Sequence, residues 1–221
     1  MSVPMLIEKG AAWYKEVGTT GCPGTKLYCL SGKLNKTGLL ELPMGSTLKE
    51  IIELGGGLKA GSKFKFAQVG GTAGGILGED LMDLPLDIES TQNKGVTLGS
   101  GVVLVCDQDT CAVDFTLQAM SFFEHESCGQ CVPCRVGTSH LHSLVKKFAE
   151  RKASVEDIDL MIEKAKLMER SSLCALGQSP AMPLETMLKY FKDEFVKHTD
   201  SGYQCAACDQ SLKTYYSGKA H

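Results

Sequence analysis

The most informative segment of the sequence is HESCGQCVPCRVGT, residues 125–138. Two residues separate each of its three cysteines from the next: Cys128, Cys131 and Cys134. On one continuous α-helix a step of three residues turns about 300° and rises about 4.5 Å, so the three sulfurs would drift around the helix instead of converging. Gly129 and Pro133 instead predict a loop that wraps the thiols before the next helix begins.

Three thiols at this spacing are typical of iron–sulfur ligation. A [4Fe–4S] cluster needs four thiolates, and three of them commonly come from a C-x2-C-x2-C run, with the fourth from a remote position. Cys174, at the far end of a predicted helix, is the expected fourth ligand. Four thiolates also satisfy tetrahedral zinc, so a structural zinc site stays open as an alternative, as does a set of inert buried thiols.

Helical periodicity surrounds the cysteines. Apolar stripes predict four amphipathic helices, carried by residues 113–123, 141–149, 158–168 and 184–195. Helices of this length with short connections are expected to pack as a four-helix bundle, which we place at residues 109–198. Residues 199–221 lose the periodicity and are predicted to form a C-terminal tail.

Short strands precede the helical region. KLYCL (26–30) and GLLEL (38–42) predict a hairpin, Thr47 and Glu50 form a capping box before a short helix, and VVLVC (102–106) reads as a buried strand. A strand pair, one helix and further strands predict a small β-grasp (ubiquitin-like) sheet at residues 21–108, after an N-terminal helical segment at 1–20. The expected fold class is therefore α+β.

Composition narrows the function classes. The chain has 23 basic and 26 acidic residues among 221, so it lacks the positive field that holds a nucleic acid. Its apolar runs are far shorter than the roughly 20 residues that cross a bilayer, and we expect no direct membrane insertion. Six of the ten cysteines belong to two closely spaced groups and the residue between them, Cys174, which indicates metal ligation in a reducing compartment, cytoplasmic or matrix-type.

A second cysteine pair lies in the tail. Cys205 and Cys208 form a C-x2-C motif that predicts a second metal site. The motif supplies only two of the four ligands that a tetrahedral metal ion needs. His198 and His221 are candidates to complete it, as are ligands from a partner chain. Free thiols and a reversible disulfide remain alternatives. Cys111, which follows the strand at 102–106, is interpreted as a structural thiol.

The cysteine motifs carry a family resemblance. The stretch at 125–138, with SLCALGQSP (172–180) and LKYFKDEF (188–195), resembles the C-terminal half of the NADH-binding flavoprotein subunit of respiratory complex I. It is similar to the same subunit in NAD-linked hydrogenases and formate dehydrogenases. Further similar stretches extend the likeness to residues 3–198: GAAWYKEVG (10–18), PGTKLYCLSG (23–32) and LGSGVVLVCDQDTCAVD (98–114).

The resemblance implies a soluble-ligand-binding β-grasp (SLBB) domain and a helical bundle that carries one [4Fe–4S] cluster. It assigns the cluster ligands to Cys128, Cys131, Cys134 and Cys174. It also implies that three residues after the fourth ligand face a flavin: Ala175, Leu176 and Gly177. The family's flavin and nicotinamide domain, with its GRGGAGF-type loop, has no counterpart in this sequence, and we interpret the glycine stretch at 69–80 as a β-grasp loop.

The resulting hypothesis is an iron–sulfur electron-transfer subunit of an NAD(P)H-linked oxidoreductase. It would relay single electrons between a flavin on another chain and further iron–sulfur carriers, without oxidising NADH by itself and with no catalytic side chain of its own. The expected partners are the subunit that binds FMN and NAD, a thioredoxin-like [2Fe–2S] subunit and other redox subunits. Two alternatives are a non-redox scaffold with a structural zinc or vestigial cluster, and a ligand-binding β-grasp module.

Overall fold

Two units divide the chain, one ending at Asp107 and the other beginning at Gln108. The structure is a computed structural model and describes residues 2–217. The helices of the first unit are α1 (Val3–Tyr14), α2 (Leu48–Leu54) and α3 (Ile88–Gln92). Its strands are β1 (Thr25–Gly32), β2 (Gly38–Pro43), β3 (Phe64–Val69), β4 (Gly75–Leu77) and β5 (Val102–Asp107).

The five strands form one mixed sheet in the order β2-β1-β5-β3-β4. β1 and β2 pair as the predicted antiparallel hairpin, with Tyr28 opposite Leu40. β1 runs parallel to β5 at the centre, whereas β3 is antiparallel to both β5 and β4. A hairpin, a helix and a returning central strand make up the β-grasp arrangement, which confirms the predicted fold class for this unit.

The capping box fixes the start of α2. The Thr47 side chain accepts a hydrogen bond from the Glu50 amide at 3.2 Å, and the Glu50 carboxylate accepts one from the Thr47 amide at 2.8 Å. Leu48, Ile51 and Ile52 are buried. Two helix donors that would otherwise lack partners are thus satisfied, while one face of the helix contributes to the core.

The glycine stretch at 69–80, interpreted from sequence as a loop, contains the short strand β4. The buried Gln68 amide donates to the carbonyls of Thr72 and Gly74, which fixes the turn between β3 and β4. A Cβ at Gly74 would lie 1.8 Å from the Val69 carbonyl oxygen, and one at Gly75 2.3 Å from a Val96 methyl group. Close packing of the hairpin therefore accounts for these two glycines.

The second unit is helical. Its elements are α4 (Ala112–His125), α5 (Val132–Ala149), α6 (Glu156–Ser171), α7 (Ala175–Gln178), α8 (Ala181–Lys197) and α9 (Ala206–Tyr216). The predicted apolar stripes supply the core of α4, α5, α6 and α8, and Phe148 of α5 meets Phe195 of α8 edge to face at 5.5 Å. The four predicted helices are therefore present.

The C-terminal segment forms a helix where the sequence lacked periodicity. Cys208 is the buried residue of α9, and Tyr215 meets His142 of α5 edge to face at 5.9 Å. Asp209 pairs with Arg151 at 2.8 Å. A helix attached through so few residues produces no apolar stripe in its sequence. Within residues 2–217, none of the helices has the length and apolar character that crossing a bilayer requires.

Candidate metal centres

The predicted cluster ligands lie at the ends of helices. Cys128 is in the loop that joins α4 to α5, and Cys131 is the N-cap residue of α5, with extended backbone angles. Cys134 is in the first turn of α5, and Cys174 is the N-cap residue of α7. Pro133 is tolerated in that first turn because a helix needs no amide donor there. The predicted loop is present, although it ends before Cys134.

Contacts bring the two cysteine-bearing segments together at the start of α5. The backbone amides of Leu173 and Cys134 favour the thiolate form of Cys131 and thereby lower the pKa of Cys131. A Cβ at Gly177 would lie 2.8 Å from the Cys134 Cβ, so α7 packs directly on the start of α5. The segment that carries Cys174 therefore lies beside the C-x2-C-x2-C run.

The loop that carries Cys128 is held by local polar contacts. Gly129, at φ +76°, donates to the Ser127 hydroxyl, which lies 3.3 Å from the Cys134 sulfur. The Arg135 guanidinium donates to the Gly129 carbonyl at 2.9 Å. A cluster bound by these thiolates would be anionic, and both this cation and the positive end of α5 would offset its charge.

The residues present fit a [4Fe–4S] cluster. The donor set is four cysteines, of which Cys128 and Cys174 are exposed, Cys131 is half-buried and Cys134 is buried. Next to them the Ser172 hydroxyl is buried and has no hydrogen-bond partner within the described part of the chain. Buried hydroxyl groups are nearly always hydrogen-bonded, so this donor is suited to a bound group such as a cluster sulfide.

The three residues predicted to face a flavin are the first three residues of the short helix α7. Ala175 is exposed, Leu176 is half-buried, and Gly177 is buried against Ser172 and Cys134. Only the first two present surface to another molecule, and their flavin contact stays a prediction. Leu173, just before the helix, is 78% exposed.

A second group of ligand side chains lies elsewhere in the helical unit. The donor atoms of Cys111, His198, Cys205 and Cys208 all lie within 4.8 Å of one another. Sequence reasoning named three of these residues and missed Cys111, which it took for a structural thiol. The signal that could have identified Cys111 is its position before a helix: it directly precedes α4, just as Cys205 directly precedes α9. His221, the other candidate, lies outside the described residues.

Close polar contacts link this second group. The Cys111 sulfur lies 3.8 Å from the Cys208 sulfur and 3.6 Å from His198 Nε2, and the Cys208 sulfur lies 3.5 Å from the same nitrogen. The side-chain contact with Cys208, together with that of His198, lowers the pKa of Cys111 to about 3. The same contact with Cys111 raises the pKa of Cys208.

Comparison with known proteins identifies two domain families in the chain. Residues 114–198 match the family described as NADH-ubiquinone oxidoreductase-F iron-sulfur binding region, and residues 27–77 match the SLBB domain. The chain thus carries a β-grasp domain of the SLBB type and an iron–sulfur-binding helical domain. Both were expected from the sequence resemblance, which is confirmed.

Individual relatives are components of redox enzymes. The chain is 36% identical over 201 residues to the F component of NADH-quinone oxidoreductase in Mycobacterium bovis, covering 91% of this chain and 45% of the relative. It is 34% identical over 215 residues to the HndC component of the NADP-reducing hydrogenase in Solidesulfovibrio fructosivorans, covering 97% of this chain and 44% of the relative. The chain therefore spans less than half the length of these relatives.

A solved structure shares the fold. An NAD+-reducing [NiFe]-hydrogenase in the H2-reduced state superimposes with a TM-score of 0.82 at 26% identity, covering 100% of this chain and 38% of that chain. The chain accordingly carries an SLBB domain and a region that matches the NADH-ubiquinone oxidoreductase-F iron-sulfur binding region, in a fold that this hydrogenase chain shares.

Proposed function

We propose that this chain is an electron-transfer module whose [4Fe–4S] cluster is held by Cys128, Cys131, Cys134 and Cys174. The observation that carries the proposal is the packing of α7 on the start of α5, where a Cβ at Gly177 would lie 2.8 Å from the Cys134 Cβ. This meeting point lies inside the segment that matches the iron–sulfur-binding family. In the proposed centre, Cys128 from the α4–α5 loop, Cys131 and Cys134 from the start of α5, and Cys174 from the start of α7 would bind one cluster.

The protein's own groups would set the conditions for a one-electron carrier. The cluster supplies the electron-accepting orbitals. The amides of Leu173 and Cys134 stabilise negative charge on the Cys131 sulfur, and the Arg135 guanidinium lies beside the loop. Because Cys128 and Cys174 are exposed, a cluster bound to them would lie near the surface, which shortens the path to an external donor or acceptor.

The surface around the cysteines is apolar enough to receive a partner. Leu173 is 78% exposed and Val132 59%, and each lies next to a proposed cluster ligand. Exposed large apolar side chains grouped around a site are typical of a protein interface. We propose that a chain carrying FMN and NAD docks here, against Ala175 and Leu176, and that electrons continue to a thioredoxin-like [2Fe–2S] subunit or another iron–sulfur carrier.

The state of the cysteines supports a reducing compartment, for which we propose the cytoplasm or a matrix-type space. Within residues 2–217 no disulfide joins any two cysteines. Disulfides are the usual state of such residues in oxidising compartments, and cluster ligation requires reduced thiolates.

The test is anaerobic purification of the full chain, with iron, sulfide and zinc analysis and EPR spectroscopy after reduction. We expect about four irons per chain and the EPR signal of a reduced [4Fe–4S] cluster. Cys131→Ser and Cys174→Ser should lose the cluster, whereas Cys29→Ser, which changes an exposed thiol of β1, should retain it. A zinc ion held by the four cysteines would refute the electron-transfer function and favour the scaffold alternative.

Cluster reduction completes the test. With a flavin-bearing partner chain and NADH present, the EPR signal should develop without any added chemical reductant. A fully loaded cluster that stays oxidised under these conditions would contradict the proposed relay.

A further inference from the structure

The second group of ligands lies where three segments of the helical unit meet. Cys111 is at the start of α4, His198 directly follows the end of α8, and Cys205 and Cys208 form the start of α9. We propose that these four side chains bind one zinc ion, a centre separate from the iron–sulfur site. The ion would hold the C-terminal helix on the helical unit.

Three of the four ligand atoms lie at the distances expected around one tetrahedral ion, and the Cys205 sulfur lies within 4.8 Å of each of them. With Zn–S bonds of about 2.3 Å and a Zn–N bond of about 2.0–2.1 Å, a tetrahedron separates two sulfurs by about 3.8 Å and a sulfur from a nitrogen by about 3.6 Å. The structure has 3.8 Å between the sulfurs of Cys111 and Cys208. It has 3.6 Å and 3.5 Å from these sulfurs to His198 Nε2.

The same distances disfavour the other uses of these thiols. In an iron–sulfur cluster the cysteines bind different irons of one polynuclear centre, so their sulfurs stand further apart than the ligands of one ion. A disulfide brings two sulfurs to about 2.0 Å, and Cys111, Cys205 and Cys208 are all free. Three cysteines and one histidine are a common ligand set of structural zinc.

The histidine is oriented as a ligand. Its Nδ1 donates to the Glu194 carbonyl at 2.7 Å, one turn earlier in α8, so that the lone pair of Nε2 faces the sulfurs. Metal-bound histidines usually make such a hydrogen bond with their second nitrogen, because it fixes both the tautomer and the ring direction. The Glu194 carboxylate also accepts the Ala112 amide at 3.0 Å, which holds the start of α4 beside the histidine.

Positive charge around the four ligands offsets the charge of the proposed centre. Three thiolates and one Zn²⁺ carry a net charge of about −1. The positive ends of α4 and α9 lie at Cys111 and Cys205, and they stabilise thiolates there. The Arg151 guanidinium donates to the carbonyls of Tyr203 and Cys205, at 3.1 Å and 3.2 Å, and so places a cation beside the ligand loop.

The ion would explain why α9 stays on the bundle. An isolated helix of 11 residues is marginal in water, and Cys208 is its buried residue. A ligand from α4, one from the end of α8 and two from α9 would cross-link the helix where its own apolar contacts are few. The inference does not depend on the proposed electron-transfer function.

The test is metal analysis and zinc-edge X-ray absorption of the full chain carrying its iron–sulfur cluster, expressed with zinc present. We expect about one zinc per chain, with three sulfurs at about 2.3 Å and one nitrogen at about 2.0–2.1 Å. Because this spectrum comes from the unaltered protein, it is informative even if a variant fails to fold. A chain without zinc, or with zinc bound by oxygen ligands, would overturn the proposal.

Variants separate the two centres. Cys111→Ser with Cys208→Ser should remove the zinc and leave the iron unchanged, Cys131→Ser should remove the iron and leave the zinc, and Cys29→Ser should change neither. His198→Cys should retain the ion with four sulfurs. Zinc that persists in the Cys111/Cys208 variant, or iron that disappears from it while the fold is intact, would refute the second centre.

Discussion

Alanine at Gly177 is predicted to separate α7 from α5 and thereby to weaken cluster binding. Its added Cβ would lie 2.5 Å from the Ser172 hydroxyl oxygen, 2.6 Å from the Ser172 Cβ and 2.8 Å from the Cys134 Cβ. None of these atoms is the end of a long side chain that could swing away. Overpacking of this kind costs about 1–3 kcal/mol, and the shift of α7 carries Cys174 with it.

The assay compares iron content and stability for Gly177→Ala and a control. After anaerobic purification, iron per chain should fall in Gly177→Ala, and urea unfolding of the apo form should show the loss of about 1–3 kcal/mol. Gly202→Ala, at an exposed glycine of the same unit whose added Cβ would meet only an ordinary 3.5 Å contact, should keep its iron and change stability by no more than about 0.5 kcal/mol. If Gly177→Ala binds a full cluster with unchanged stability, the packing of α7 on Cys134 does not position the fourth ligand.

Three further predictions concern other groups. Ser172→Ala removes the hydroxyl donor beside the cysteines, so the cluster should remain but its reduction potential should become more negative. EPR-monitored redox titration measures this change. An unchanged potential would exclude a hydrogen bond from the Ser172 hydroxyl to the cluster. Burial, with the nearby Asp87 carboxylate, raises the pKa of Tyr28 to about 12. The neutral form therefore stabilises the fold fully below pH 10, and about 2–3 kcal/mol should be lost as pH rises from 10 to 12, a loss that Tyr28→Phe should lack in alkaline denaturation. Leu173→Glu should weaken binding of the flavin-bearing chain in pull-down titrations while retaining iron, and equal binding would place the interface elsewhere.

Local patterns were sufficient for the elements that bury a periodic face. Met120 of α4, Leu141 of α5 and Met161 of α6 are each at most 1% exposed, as their stripes predicted. The capping box at Thr47 and the β1–β2 hairpin likewise depend on residues close in sequence. These features are visible in one sequence because the interactions that create them are local.

The remaining elements depend on contacts that sequence patterns do not contain. β4 has three residues and α7 four, too few for any periodicity. Cys111 joins the second metal-ligand group through contacts with residues 87 and 97 positions away, His198 and Cys208. Spacing alone identified the C-x2-C of the tail, but only the folded helical unit shows which distant thiol and which histidine approach it.

Both proposed centres have cysteine ligands at the N-cap positions of helices. Cys131 and Cys174 are N-cap residues of α5 and α7, and Cys111 and Cys205 are N-cap residues of α4 and α9. At such positions unpaired backbone N–H groups and the helix dipole stabilise a thiolate, the form that binds metals.

What separates the centres is the reach and exposure of the ligands. At the second centre His198 and Cys208 are buried and the donor atoms lie within 4.8 Å of one another, which suits one ion with no surface to exchange electrons. At the first centre Cys128 and Cys174 remain exposed, so a bound cluster is within reach of a docked partner. Burial therefore favours a structural role for the zinc ligands and electron transfer for the iron–sulfur ligands, although both sets begin from cysteines at helix N-termini.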